Sequence, residues 1–89
     1  KKIEKMLELQ FSSQAKKFLK KIDDMNWKRI TDKIKNLQAE PFPSDTKRII
    51  GRKEKTFRVR VGDYRIQYSV FYEKNILFIS DIDKRPRAY

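Results

Sequence analysis

The chain has 89 residues with no cysteine and no histidine, and its 23 basic against 12 acidic side chains give a formal net charge of +11. That length allows one small domain, residues 1–89, with a single modest core, and the missing residue types exclude disulfides, Ser-His-Asp hydrolysis, paired-imidazole RNA cleavage and most zinc sites. The charge selects nucleic acid, an anionic surface or an acidic protein as partner, and a cysteine-free chain fits the reducing cytoplasm.

Residues 3–11 read as a strand in which Leu7, Leu9 and Phe11 alternate with Glu8 and Gln10. Ser12 or Ser13 then offers an N-cap. Ala15, Phe18, Leu19 and Ile22 recur at i, i+3, i+4 and i+7, which predicts an amphipathic helix with Lys16, Lys17, Lys20 and Lys21 on its other side. Asp23 to Asn26 breaks the pattern. A second helix follows, with Trp27, Ile30, Ile34 and Leu37 as its apolar stripe, and it ends before Pro41. The short connection implies an antiparallel helical hairpin. Pro41 to Asp45 is a loop, and Lys47 to Ile50 is a short extended piece before Gly51. Three strands are predicted at about 56–61, 64–71 and 76–82, with Glu73, Lys74 and Asn75 as the second turn. No apolar run reaches membrane-spanning length. The expected fold is α+β in the order β-α-α-β-β-β: an N-terminal strand, a helical hairpin, then a three-strand antiparallel meander whose apolar face packs on the helices.

The segment FRVRVGDYRIQY, Phe57 to Tyr68, carries the strongest pattern. Phe57, Val59 and Val61 project to one face and Arg58 and Arg60 to the other; after Gly62-Asp63, Tyr64, Ile66 and Tyr68 repeat the apolar set. A Gly-X turn is a type II′ hairpin signal, and it pairs Val61 with Tyr64, Arg60 with Arg65, Val59 with Ile66, Arg58 with Gln67 and Phe57 with Tyr68. A slip by one residue would set apolar against charged side chains. This register places Arg60 opposite Arg65, which is unfavourable by itself. Three facing arginines are therefore read as a place for an extended anion.

Other chemistry is poorly supplied. With Gly51 and Gly62 as its only glycines, the chain has no phosphate-cradling glycine loop. Asp81 and Asp83, at i and i+2, suit Mg²⁺ beside a phosphate, but two-metal chemistry needs further carboxylates, so neither a metal nor a cofactor is expected. The tail from Asp83 to Tyr89 adds Arg85, Arg87 and an aromatic ring. Its arginines suit a bidentate phosphate clamp, and Tyr89 suits base stacking or proton transfer.

FSSQAKKFLKKID on the first helix, the Pro41–Asp45 loop, KRIIG at 47–51, FRVRVGDYRIQY and ISDIDKRPRAY together resemble the RelE family of type II toxin–antitoxin toxins, over nearly the whole chain. The resemblance implies a metal-free endoribonuclease that cleaves messenger RNA in the ribosomal A site and inhibits translation. It also implies an acidic RelB-like antitoxin as partner in a hetero-oligomer, and no membrane. Arg58 and Arg60 fall where members place basic residues, often lysines, against the RNA backbone, and Lys47, Arg48 and Arg87 join them as RNA-binding candidates. Arg65 falls on the arginine assigned to the scissile phosphate, Arg85 on the late arginine and Tyr89 on the C-terminal tyrosine, so these three are the catalytic candidates. Arginine at 58 and 60 removes a lysine base, which leaves Tyr89 as the candidate base for attack of the 2′-OH on phosphorus. Two alternatives remain: a same-fold ParE-like gyrase inhibitor without the catalytic set, and a non-catalytic basic RNA- or ribosome-binding module.

Overall fold

The computed structural model describes residues 6–85. The expected strand at 3–11 is realised as β1, Glu8–Phe11, and its first residues, like Arg87 and Tyr89, lie outside the described range. Helix α1, Ser13–Lys21, follows at once, and Ser12 is the N-cap whose hydroxyl accepts from the Ala15 N–H. Helix α2 spans Asp24–Ala39, which shortens the expected break at 23–26. The Asp23 carboxylate caps it, accepting from the Asn26 backbone and side-chain nitrogens at 3.2 and 2.8 Å, and these bonds lower its pKa. Four strands follow among the described residues: β2, Lys47–Ile49; β3, Thr56–Val61; β4, Tyr64–Phe71; and β5, Ile76–Lys84.

The strands form one sheet in the order β1-β5-β4-β3-β2. The meander from β3 to β5 is antiparallel, β2 adds antiparallel to β3, and β1 pairs parallel to β5 at the other edge. The β3–β4 register is the one that the alternation predicts, from Phe57 opposite Tyr68 to Val61 opposite Tyr64. Gly62 has φ of +61° and Asp63 does not share the positive φ, as a type II′ turn requires. A Cβ at Gly62 would also lie 2.7 Å from Arg29 Nη2, the far end of a flexible side chain that can swing away, so it is the positive φ that disfavours a side chain at the tip.

One face of the sheet carries the core. Val59, Ile66, Tyr68, Leu77, Ile79 and Ile82 are buried there against Ala15, Ile30, Ile34 and Leu37 of the helices, and Phe18 meets the Tyr64 ring edge-on at 5.8 Å. Trp27 departs from its expected place in the α2 stripe: it is 48 % exposed, because it sits in the first turn of α2. Among the described residues no helix is long and apolar enough to cross a membrane.

Tyr68 crosses the core to donate its hydroxyl to the Pro41 carbonyl at 2.6 Å, with Thr46 Oγ1 3.3 Å away. It thereby ties the 41–46 loop to the sheet. Burial raises its phenol pKa above the usual 10.0. Because the folded state holds that proton more tightly than the unfolded chain, the contribution is complete below pH 10 and is lost as pH rises through the raised value. Tyr68→Phe is expected to cost about 1 kcal/mol at pH 7 through the lost hydrogen bond. The gap to the parent should narrow above pH 10, a trend that urea unfolding at pH 7, 9 and 11 reads directly.

Candidate functional site

The opposite face of the sheet is arranged in rows by the strand registers. In one row Arg60 of β3, Arg65 of β4 and Asp83 of β5 are direct neighbours. In the next, Lys47, Arg58, Gln67 and Asp81 follow one another from β2 to β5. Cations thus gather on β2 and β3 and carboxylates on β5, with Arg65 at the boundary. Arg60 is exposed and Arg58 partly so, while the Arg65 side chain is only 15 % exposed.

Arg65 is held side-on by Asp83, its cross-strand neighbour. Arg65 Nε lies 3.4 Å from Oδ1 and Nη2 lies 3.5 Å from Oδ2. Arg85 approaches the same carboxylate, with its Nε 3.7 Å from Oδ2. The Arg85 backbone N–H also donates to the Asp63 carbonyl at 2.7 Å, which fixes the end of β5 beside the hairpin turn. Two guanidinium groups, one from β4 and one from the residue just past β5, therefore converge on one anion. This answers the repulsion expected between Arg60 and Arg65, because Asp83 supplies the opposite charge on the other flank.

That pairing depends on an irregularity in β5. From Phe71–Ile76 to Tyr68–Ile79 the strands pair in simple register, then Gln67 meets Asp81, so that Ser80 is an extra residue, a β-bulge. Without it Arg65 would face Ile82. The bulge is anchored twice: Ser80 Oγ donates to the Gln67 carbonyl at 3.2 Å, and Ser12 Oγ donates to the Ser80 carbonyl at 2.8 Å.

Strand β2 pairs only with Thr56 to Arg58, so among the described residues no strand lies beside the β3 edge at Val59 and Arg60. An open depression of about 540 Å³ occupies that edge, lined by Ser44, Asp45, Lys47, Arg58, Val59 and Arg60. It continues the basic face. Asp45 is turned toward Lys33, 3.1 Å away, which partly neutralises its charge.

The structure brings together Lys47, Arg58, Arg60, Arg65 and Arg85 of the residues read from the sequence. It separates Arg48, which pairs with Phe57 rather than Arg58 and so projects to the other face at the edge of the sheet. Arg87 and Tyr89 lie outside the described residues. One member of the face escaped the sequence reading, and another, Asp83, takes a role different from the metal ligand weighed there. Arg52, in the connection between β2 and β3, reaches over to donate to Gln67 Oε1 at 3.2 Å, and no local pattern marks it. Asp83 acts as an ion-pair partner, for which the signal was present. The apolar positions Leu77, Ile79 and Ile82 change parity, which announces a bulge. Among the described residues no group of three or more acidic side chains gathers as a metal site would need.

The chain has clear relatives. Residues 9–89 match the family described as the ParE toxin of type II toxin–antitoxin systems, parDE. A protein of Methanocaldococcus jannaschii named "Putative toxin RelE1" is 37 % identical over 76 residues, covering 82 % of this chain and 83 % of its own length. Among solved structures, the archaeal RelE–RelB complex from Pyrococcus horikoshii OT3 superposes with a TM-score of 0.80 at 26 % identity, covering 94 % of this chain and all of that one (100 %). The RelBE2 toxin–antitoxin complex of Mycobacterium tuberculosis shares the fold with a TM-score of 0.77 at 24 % identity, covering 92 % of this chain and 94 % of the other. A family match over most of the chain, a 37 % identical relative and the five-stranded sheet with its helical hairpin make this protein a RelE-like member of the RelE/ParE family of type II toxin–antitoxin toxins.

Proposed function

We propose that this toxin is a ribosome-dependent, metal-free endoribonuclease that cleaves messenger RNA in the ribosomal A site. The observation that carries the reading is the convergence of Arg65 and Arg85 on one carboxylate, beside Arg60 and Arg58, on the face of the sheet that the helices leave uncovered. Cleavage by 2′-OH attack requires a base for the hydroxyl proton, cations for the dianionic phosphorane and an acid for the leaving 5′ oxygen. Arg65 is the contact to the scissile phosphate. Arginine suits it, being permanently charged and matched to phosphate geometry, and for the same reason it shuttles no protons. Arg85 adds a second cation beside it, and Tyr89 is the base. Arg58, Arg60 and Lys47 hold the RNA backbone along the open β3 edge, with Arg52 as a further contact and Arg87 following in the tail. An enzyme with no imidazole relies on substrate alignment that the ribosome supplies, because positioning alone offsets much of a barrier.

The cellular partner in this reading is an acidic, RelB-like antitoxin that forms a hetero-oligomer with the toxin in the cytoplasm. The net charge of +11 and the antitoxin-bound structures of its relatives support it. The ParE designation of the matching family keeps gyrase inhibition as a second reading. Primer extension on a message translated in the presence of the toxin separates the two. Ribosome-dependent cuts are expected; an intact message together with arrested DNA supercoiling would establish the gyrase reading instead.

A further inference from the structure

We propose that Asp83 is a positioning residue: it holds Arg65 and Arg85 as one pair that receives the scissile phosphate, with its carboxylate occupying the anion position between them before RNA arrives. The inference rests on the ribonuclease reading and deepens it. Three observations carry it. Asp83 is the cross-strand neighbour of Arg65 only because Ser80 is inserted in β5. Its two oxygens engage Arg65 through Nε and Nη2, a side-on contact that leaves the terminal Nη1–Nη2 fork of the same guanidinium for a second anion. Arg85 shares Oδ2. The separations of 3.4 to 3.7 Å exceed the 2.7–2.9 Å of a closed charge-assisted bond. The pairing is therefore an electrostatic one that orients the two guanidinium groups without closing them to a phosphate.

The electrostatics assign a direction to each effect. Arg65 is flanked by Arg60 on β3, and its side chain is largely withdrawn from water. Removing the charge of Asp83 leaves two adjacent guanidinium groups repelling each other, so Arg65 loses its fixed rotamer. The face as a whole becomes more positive, so attraction for RNA does not fall. A residue that positions the cations must therefore act on kcat and leave KM unchanged or lower, whereas a residue that only binds RNA would act on KM.

Asp83→Asn preserves shape and removes the charge. Its kcat on ribosome-bound message is expected to fall about 10–100-fold, with KM unchanged or reduced. Asp83→Glu keeps the charge on a longer stem and should fall between parent and Asp83→Asn. Asp81→Asn removes the same charge two residues away and should cleave at the parental rate. A second readout needs no cleavage. In the free toxin the Arg65 Nε–H should exchange slowly with solvent by NMR, and faster in Asp83→Asn. Parental kcat in Asp83→Asn, or a kcat for it at or above that of Asp83→Glu, would overturn the proposal. Should Asp83→Asn not fold, an unprotected Arg65 Nε–H in the parent overturns it equally. A parent that cleaves no message removes the ribonuclease reading, while the exchange measurement still decides whether Asp83 fixes Arg65.

Discussion

Arg65→Ala should lower ribosome-dependent cleavage by about 10²–10³, the loss typical of removing one donor to a developing oxyanion. The protein should remain folded. Arg65 packs its stem beside the sheet and pairs with Asp83, so truncation costs about 1–2 kcal/mol, between the values for exposed and buried ion pairs. Asp83 is not left alone, because Arg85 stays within 3.7 Å of it. Ile66→Ala supplies the contrast on the same strand. Ile66 is fully buried, and its truncation should cost about 2–5 kcal/mol of stability. Cleavage per folded molecule should nonetheless stay near the parental value. Primer extension scored against the folded fraction from circular dichroism checks both variants. Undiminished cleavage by folded Arg65→Ala would remove Arg65 from the site and the phosphate clamp with it.

Local periodicity makes the centre of this site legible in the amino-acid sequence. Period-two alternation on both sides of Gly62-Asp63, together with the two-residue turn, fixes the β3–β4 register, since a slip by one residue would bury Arg58, Arg60 and Arg65 in the core. The face shared by those arginines follows from the same pattern. Helix positions follow equally well where the stripe is internal, as at Ile30, Ile34 and Leu37, and fail at Trp27, where the helix begins and leaves the ring in solvent.

Relations between distant segments are the hidden part. Parallel pairing of β1 with β5 joins residues almost seventy positions apart in sequence (Ser12 Oγ bonds the Ser80 carbonyl at |i−j| = 68), and nothing local in ELQF names its partner. The bulge at Ser80 is written in the changed parity between Ile79 and Ile82. Its consequence is invisible without the register, because only the extra residue turns Asp83 toward Arg65. Arg48 shows the converse. Basic composition marks it beside Lys47 as an RNA contact, but neighbours in a strand face opposite sides, and the pairing with Phe57 turns it away from the arginine face. Charge alone therefore does not assign a face, and strand register does.

Tyr89 carries the remaining large effect, and two substitutions separate its two candidate roles. Tyr89→Phe keeps the ring and removes only the hydroxyl, so base stacking survives it. Proton transfer does not. If Tyr89 takes the 2′-OH proton, Tyr89→Phe should lower the cleavage rate by about 10²–10⁴ with ribosome affinity nearly unchanged. The pH profile gives an independent sign. A base must be deprotonated, so the single-turnover rate of the parent should climb with pH until the phenolate is populated, from a phenol whose reference pKa is about 10. In Tyr89→Phe that climb should vanish, leaving a low, flat profile. Arginine cannot replace the missing base, since a guanidinium is a poor proton shuttle, and the chain has no histidine to take over. A Tyr89→Phe protein that cleaves at the parental rate while Tyr89→Ala does not would make the ring a stacking platform. In that outcome the proton must leave through a group of the ribosome or of the message, and the toxin's own contribution reduces to the arginine clamp.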